Sequence, residues 1–208
     1  MEIKGIESRQ INEWVKRAYD NAVKHGWHEE KRSNAHWLMM VCTEVAEAVQ
    51  ADRKCCYMDD LDKEGLRTVL ANDNGGSLFD KYYSDTIEGK VESELADICI
   101  RIFDFMGVRD ITANYNISVI DAEYSFFAHH TFTENAFFVT NDILCGNVQS
   151  LLFSTLPVHP AMLGSVCQSV LLSVFNWAEA LEIDLVQHIN LKMRYNESRK
   201  YLHGNKLY

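Results

Sequence analysis

Proline is nearly absent from this chain, with two residues in 208, and glycine contributes only ten. So few chain breakers exclude a many-turned β architecture and favour long helices. No apolar run approaches the roughly 18 residues needed to cross a bilayer, so no membrane partner is expected. The opening Met1-Glu-Ile-Lys-Gly lacks the charged-then-apolar layout of a secretion signal, and a cytoplasmic location is expected. Six cysteines include no CxxC pair, and Cys55 and Cys56 are adjacent, which supports neither a zinc ribbon nor a disulfide framework. Cys42 and Cys99 fall within apolar helical patterns, where a thiol behaves as a small hydrophobe. Basic residues are also scarce. Twenty Lys and Arg face 30 Asp and Glu, for a formal net charge of −10, and no nucleic-acid partner is expected without a basic stripe.

What the chain does contain is apolar periodicity. Ile11, Trp14, Val15, Ala18, Ala22 and Val23 predict an amphipathic helix over 8–25, capped by Ser8 and closed by Gly26. A second helix runs from Ser33, as N-cap, to Arg53, with Trp37, Leu38, Val41, Val45, Ala48 and Val49 on its apolar side. Residues 54–85 read as a connection centred on Asn72-Asp-Asn-Gly-Gly. A third helix, about 86–106, carries Ile87, Val91, Leu95, Ile98, Ile102 and Phe105. No element is assigned to 107–133. Asn135–Phe153 and Pro160–Leu181 read as a helix hairpin through Leu156-Pro-Val-His-Pro, since Pro160 suits a first helical turn. A last helix spans Asp184 to Tyr201. The expectation is one all-α domain over 1–208, a helical bundle. A faint echo between Asn34-Ala-His-Trp and Asn135-Ala-Phe-Phe, both read as helix openings, allows a degenerate repeat. Two unrelated amphipathic pairs explain it equally well.

Two carboxylate pairs stand out: Glu44-Val-Ala-Glu47 on the second helix and Glu94-Leu-Ala-Asp97 on the third. Residues three apart share a helical face. At about 100° per residue, Trp37, Met40, Ala48 and Ala51 surround Glu44, and Ile98 and Phe105 flank Glu94. The acids therefore sit in or beside faces that must pack. A buried carboxylate must be protonated, paired or metal-bound. Four converging acids suit a hard divalent cation, Mg²⁺ or Mn²⁺. The competing reading is an ordinary polar stripe, or acids paired with bases such as Arg101; for a single ExxE it is much the commoner case. Asp104, seven residues after Asp97, is expected to pair structurally with Arg101. Near the end, Lys192, Asn196 and Arg199 fall on one helical face. A Lys point charge, an amide and an Arg fork suit a polyphosphate, whereas the bland reading is a basic helix end that complements the dipole.

Three blocks, taken in order, resemble the MazG-like all-α nucleoside triphosphate pyrophosphohydrolases, a superfamily that includes the dimeric dUTPases and dCTP pyrophosphatases. They are Trp37-Leu-Met-Met-Val-Cys-Thr-Glu44-Val-Ala-Glu47-Ala, Glu94-Leu-Ala-Asp97-Ile-Cys-Ile-Arg-Ile-Phe-Asp, and Ile183-Asp-Leu with Lys192-Met-Arg-Tyr-Asn196-Glu-Ser-Arg199 and the following His203-Gly204. The resemblance implies Mg²⁺-dependent cleavage between the α and β phosphates, giving a nucleoside monophosphate and pyrophosphate. It implies metal ligation by Glu44, Glu47, Glu94 and Asp97, with Glu47 as a candidate base towards water. Lys192, Asn196 and Arg199 would hold phosphates. It also implies a homodimer or higher homo-oligomer. The chain departs from simple family members by about 70 residues, roughly 108–178, between the second and third blocks; this insertion either reshapes the site or stands in for a partner subunit.

Two other classes compete with this reading. A non-catalytic helical nucleotide- or metal-binding module would keep the bundle with an incomplete site, yet every expected residue type is present. A di-iron bundle uses Glu-x-x-His pairs, which neither acidic pair supplies. Trp14, His36 and Trp37 can stack on a base, although core aromatics are the commoner outcome. His129, His130 and His159 are expected in surface loops.

Overall fold

In the computed structural model, residues 4–73, 76–145 and 160–201 are described, and they form a helical bundle with one two-stranded sheet. Helices are α1 (Ser8–Lys24), α2 (Asn34–Arg53), α3 (Asp60–Asn72), α4 (Ser77–Tyr82), α5 (Val91–Val108), α6 (Phe132–Cys145), α7 (Pro160–Ala180) and α8 (Leu185–Ser198). A π turn, Tyr83–Ile87, follows α4 directly, and two 3-10 turns, Ala122–Tyr124 and Phe126–His129, precede α6. The all-α class read from the sequence is what the chain adopts.

Helix α5 is the axis of the bundle. Leu95, Ile98, Cys99, Ile102, Phe103 and Phe105 are wholly buried, because α1, α2, α7 and α8 surround this helix on all sides. Its apolar residues pack with Trp14, Trp37, Val41 and Ala48 into one main core. Gly107 lets α1 approach: a Cβ there would meet Tyr19 Cβ at 2.5 Å. A second, smaller core holds α3, α4 and the π turn against α8 through Met58, Leu66, Phe79, Tyr83, Ile87, Leu191 and Tyr195.

Several boundaries differ from the sequence reading, each for a local reason. Ser8 is the first helical residue of α1 and not its cap; its N–H donates to Asn116 Oδ1 at 2.9 Å, a partner 108 positions away. Gly26, at φ +82°, does close that helix end, as expected of a residue without a Cβ. Ser33 caps α2 by accepting from the His36 N–H at 3.2 Å. Residues 54–85 are not a plain connection. Asp59 and Asp62 form a reciprocal capping box that starts α3. Helix α5 begins at Val91 and not at 86, since the π turn and Gly89 intervene.

The unassigned 107–133 region holds strand β2, Ile117–Val119, antiparallel to β1, Lys4–Ile6. Asn176 on α7 secures this small sheet, accepting from the Ile120 N–H and donating to Ser118 O. Asn135 does not open its helix: α6 starts at Phe132 behind Thr131, which exchanges hydrogen bonds with Glu134. Asn135 is instead buried and donates to Phe127 O. Pro160 takes the first position of α7, whereas the expected Leu156-Pro-Val-His-Pro link, His159 and the end of the helix predicted to Phe153 lie outside the described residues. The last helix ends at Ser198, short of Tyr201.

Candidate metal and phosphate site

The acids of α2 and α5 meet because these helices pack side by side with their ExxE and ExxD turns level. Glu44, Glu94 and Asp97 each place a carboxylate oxygen within 4.8 Å of the other two. Glu44 and Glu94 are each 6 % exposed, and Asp97 is half-buried. Glu47 departs from the expectation that all four acids avoid solvent: it is exposed and stands outside this trio, although it lines the same cavity. That cavity, about 450 Å³, opens between α1, α2, α5 and α8, and its walls also include Lys192, Asn196, Arg199 and Trp27. Its size falls in the range of small-molecule pockets.

Two cations already stand among the acids. Arg101 Nε donates to Glu44 Oε1 at 2.8 Å, and Lys192 Nζ lies 2.7 Å from Asp97 Oδ2. The pairing of acids with bases weighed in the sequence is thus realised for two of them, and no described base forms an ion pair with Glu94. Burial, then the negative charge of Asp97, push Glu94 up to about 8; Lys192 opposes the rise, and Glu44 and Glu47 add to it. Asp97 is likewise raised by burial, against the pull of Lys192. Lys192 moves upward too: burial alone would lower it, but Asp97, Tyr83 and Glu94 favour its charged form. The cluster thus holds more negative charge than it can comfortably ionise. Its donors are all carboxylate oxygens, the set that hard divalent cations prefer.

Asp104 feels the charge of Arg101, but its hydrogen-bonded partner is another residue. His28 Nε2 lies 2.8 Å from Asp104 Oδ1, and the ring of His28 leans on Trp37 and Tyr19. Burial still raises Asp104, with His28 and then Arg101 opposing.

The basic side is more deeply set than an exposed helix end. Lys192 is 4 % exposed, and Asn196 is buried with its Oδ1 unpartnered. Arg199 lies just past α8 as its C-cap, with Nη1 3.4 Å from Glu88 Oε1. Trp14 and Trp37 are core residues; Trp14 packs against Phe103 and Phe175, and its Nε1 donates to Asn190. His129 is exposed, and the half-buried His130 ring rests on Phe126.

Reading the sequence missed Tyr83, Glu88, Ser93, Asn21 and Trp27. Ser93 carries no signal beyond lying next to Glu94; Tyr83 sits in the segment read as a connection, and Glu88 in the first turn of the helix read from 86, where the chain instead leaves a π turn. Trp27 lies just past Gly26, and nothing in its spacing ties it to the acids.

No family model, curated protein or solved structure matches this chain. Fold and site together define an all-α bundle with an acidic, cation-compatible cavity. No helix among the described residues is long and apolar enough to cross a membrane.

Proposed function

We propose that this protein is a Mg²⁺-dependent nucleoside triphosphate pyrophosphohydrolase that cleaves (d)NTPs between the α and β phosphates. The observation that carries the reading is the meeting of Glu44, Glu94 and Asp97 with Lys192, Asn196 and Arg199 in one cavity. A metal–phosphate enzyme needs both halves within one ligand's reach, and a 450 Å³ cavity matches a nucleotide in scale.

Glu44, Glu94 and Asp97 would hold the ion, with Glu47 at the same cavity. Bound there, Mg²⁺ or Mn²⁺ supplies charge neutralisation and lowers the pKa of water. The protein's own groups do the rest. Lys192 and Arg199 stabilise the charge that builds on the departing pyrophosphate, and Asn196 offers an amide for orientation. Glu47, being exposed at the cavity, is placed to take a proton from the attacking water. On this reading the chain works in the cytoplasm on nucleotide pools, as a homodimer or higher homo-oligomer unless the 108–178 segment replaces a partner.

The test is a panel of NTPs and dNTPs with Mg²⁺, scored for pyrophosphate against orthophosphate. Pyrophosphate from at least one nucleotide, lost on chelation, is the expected result. Orthophosphate alone, or turnover indifferent to chelator, refutes the proposal. Tight nucleotide binding without any turnover would instead mark a regulatory module.

A further inference from the structure

Lys192 reaches the cavity from inside the protein. Its Nζ lies 2.7 Å from Asp97 Oδ2 and 3.3 Å from Ser93 Oγ, with the Tyr83 and Tyr195 rings at 5.8 and 6.0 Å. An ammonium has three donors and no acceptor, so Ser93 Oγ must accept from it. Tyr83 Oη lies 3.2 Å from the same oxygen, a hydroxyl–hydroxyl bond in which either group can donate. Ser93 and Tyr83 are both wholly buried. Lys192, Ser93 and Tyr83 therefore form one buried run of hydrogen bonds.

This run of bonds bears on what Lys192 can do. Asp97 and Ser93 take two of its three N–H groups and leave the third. Asp97 belongs to the acidic trio and is an unreliable anchor, because a cation drawing on its oxygens loosens the ammonium. Ser93 is not one of those ligands. Its hydroxyl supplies a second bond direction independent of the acidic trio, and Tyr83, on the π turn, holds the hydroxyl.

We propose that Ser93 and Tyr83 are positioning residues that hold Lys192 with its third N–H free for a phosphate oxygen of a polyphosphate. The proposal rests on the polyphosphate reading above. It assigns a role to the π turn, an irregularity that recurs at functional sites.

The test is calorimetric titration with inorganic tripolyphosphate in Mg²⁺, with a parallel titration by Mg²⁺ alone. Ser93→Ala should weaken tripolyphosphate binding on the order of tenfold, as expected for one lost hydrogen bond to a charged group. Tyr83→Phe should weaken it roughly threefold by unfixing the hydroxyl. In a Lys192→Met background, read at millimolar ligand, neither change should alter affinity by more than about twofold, since both act through Lys192. Mg²⁺ affinity should stay at the wild-type value in both single variants. Wild-type affinity in both, or losses that persist beside Lys192→Met, overturns the positioning role and leaves the proposed function standing. A wild-type protein that binds no tripolyphosphate overturns the positioning role, and the nucleotide panel then decides the proposed function. If Ser93→Ala does not fold, the Tyr83→Phe cycle decides alone.

Discussion

Replacing Glu94 by Gln removes the acid that burial and the charge of Asp97 push up to about 8. In the metal-free protein, the folded chain keeps a proton there that the unfolded chain, titrating near 4.5, has already released. Stability is therefore lost as pH rises through this window, and the loss is complete above it. The interval from 4.5 to about 8, at about 1.4 kcal/mol per unit, bounds the loss near 5 kcal/mol. The cavity is open to water, which screens the repulsion and leaves about 2 kcal/mol. About three-fifths of that falls between pH 5.5 and pH 8, which for a domain of this size is a melting temperature ~3–5 °C lower at the higher pH. Saturating Mg²⁺ binds only the folded chain and should restore about 2.7 kcal/mol at a hundredfold excess over Kd. The assay is thermal unfolding followed by circular dichroism between pH 5.5 and 8.5, in EDTA and in Mg²⁺. Glu94→Gln keeps the volume, so it should flatten the EDTA curve and blunt the Mg²⁺ response. A wild-type curve that is flat or rising from pH 6 to 8 in EDTA would refute the reasoning. So would a variant that falls as steeply as wild type.

On the acid side, burial pushes His188 down to about 4, so stability should fall as pH drops from 6.5 through that value; His188→Leu should flatten this limb in melts extended below pH 4. Arg101→Leu strips Glu44 of its partner and should cost about 2 kcal/mol in EDTA, with Mg²⁺ recovering part of it; equal losses in both conditions would count against a cation near Glu44. His28→Phe leaves Asp104 buried without its histidine and should cost about 3 kcal/mol by urea unfolding, whatever the Mg²⁺ concentration. Lys192→Met should lower turnover by at least ~100-fold in the nucleotide panel, and near-wild-type rates would remove it from the site.

Elements with one clean apolar face were legible in the sequence, and those that share faces were not. Helix α2 and its Ser33 cap could be read because Trp37, Val41, Val45 and Ala48 recur at helical spacing. Helix α3 hid because Leu61 and Leu70 are exposed while Leu66 and Val69 are buried, so its apolar residues do not form one stripe. Helix α5 gave its pattern but not its start: Ile87 continues the apolar spacing across a π turn, where the chain is no longer α-helical. Strand β2 is three residues long, too short for alternation to show. The acids of the site were found because paired carboxylates beside apolar neighbours are visible in one dimension. Their partners were harder to find: Arg101 was assigned to Asp104, its neighbour in sequence, whereas it reaches across to Glu44 on another helix. The true partner of Asp104, His28, comes from a loop 76 positions away.

Ion pairing and metal binding were opposed readings of these carboxylates, and the geometry makes them compatible. Arg101 and Lys192 offset two charges, those of Glu44 and Asp97. Glu94 and Glu47 remain, so four acids against two cations leave a formal −2, the charge of one divalent ion. A site fully neutralised by its own bases would bind a cation poorly, and four unscreened acids would destabilise the fold without one. Two positive charges relieve part of the repulsion, while Glu94, raised to about 8, keeps a demand that a proton meets and that the proposed cation would meet. On the proposed reading, cation binding and proton release from Glu94 would be one equilibrium. The ion should bind more tightly as pH rises from 6 to 8, and this slope should disappear in Glu94→Gln.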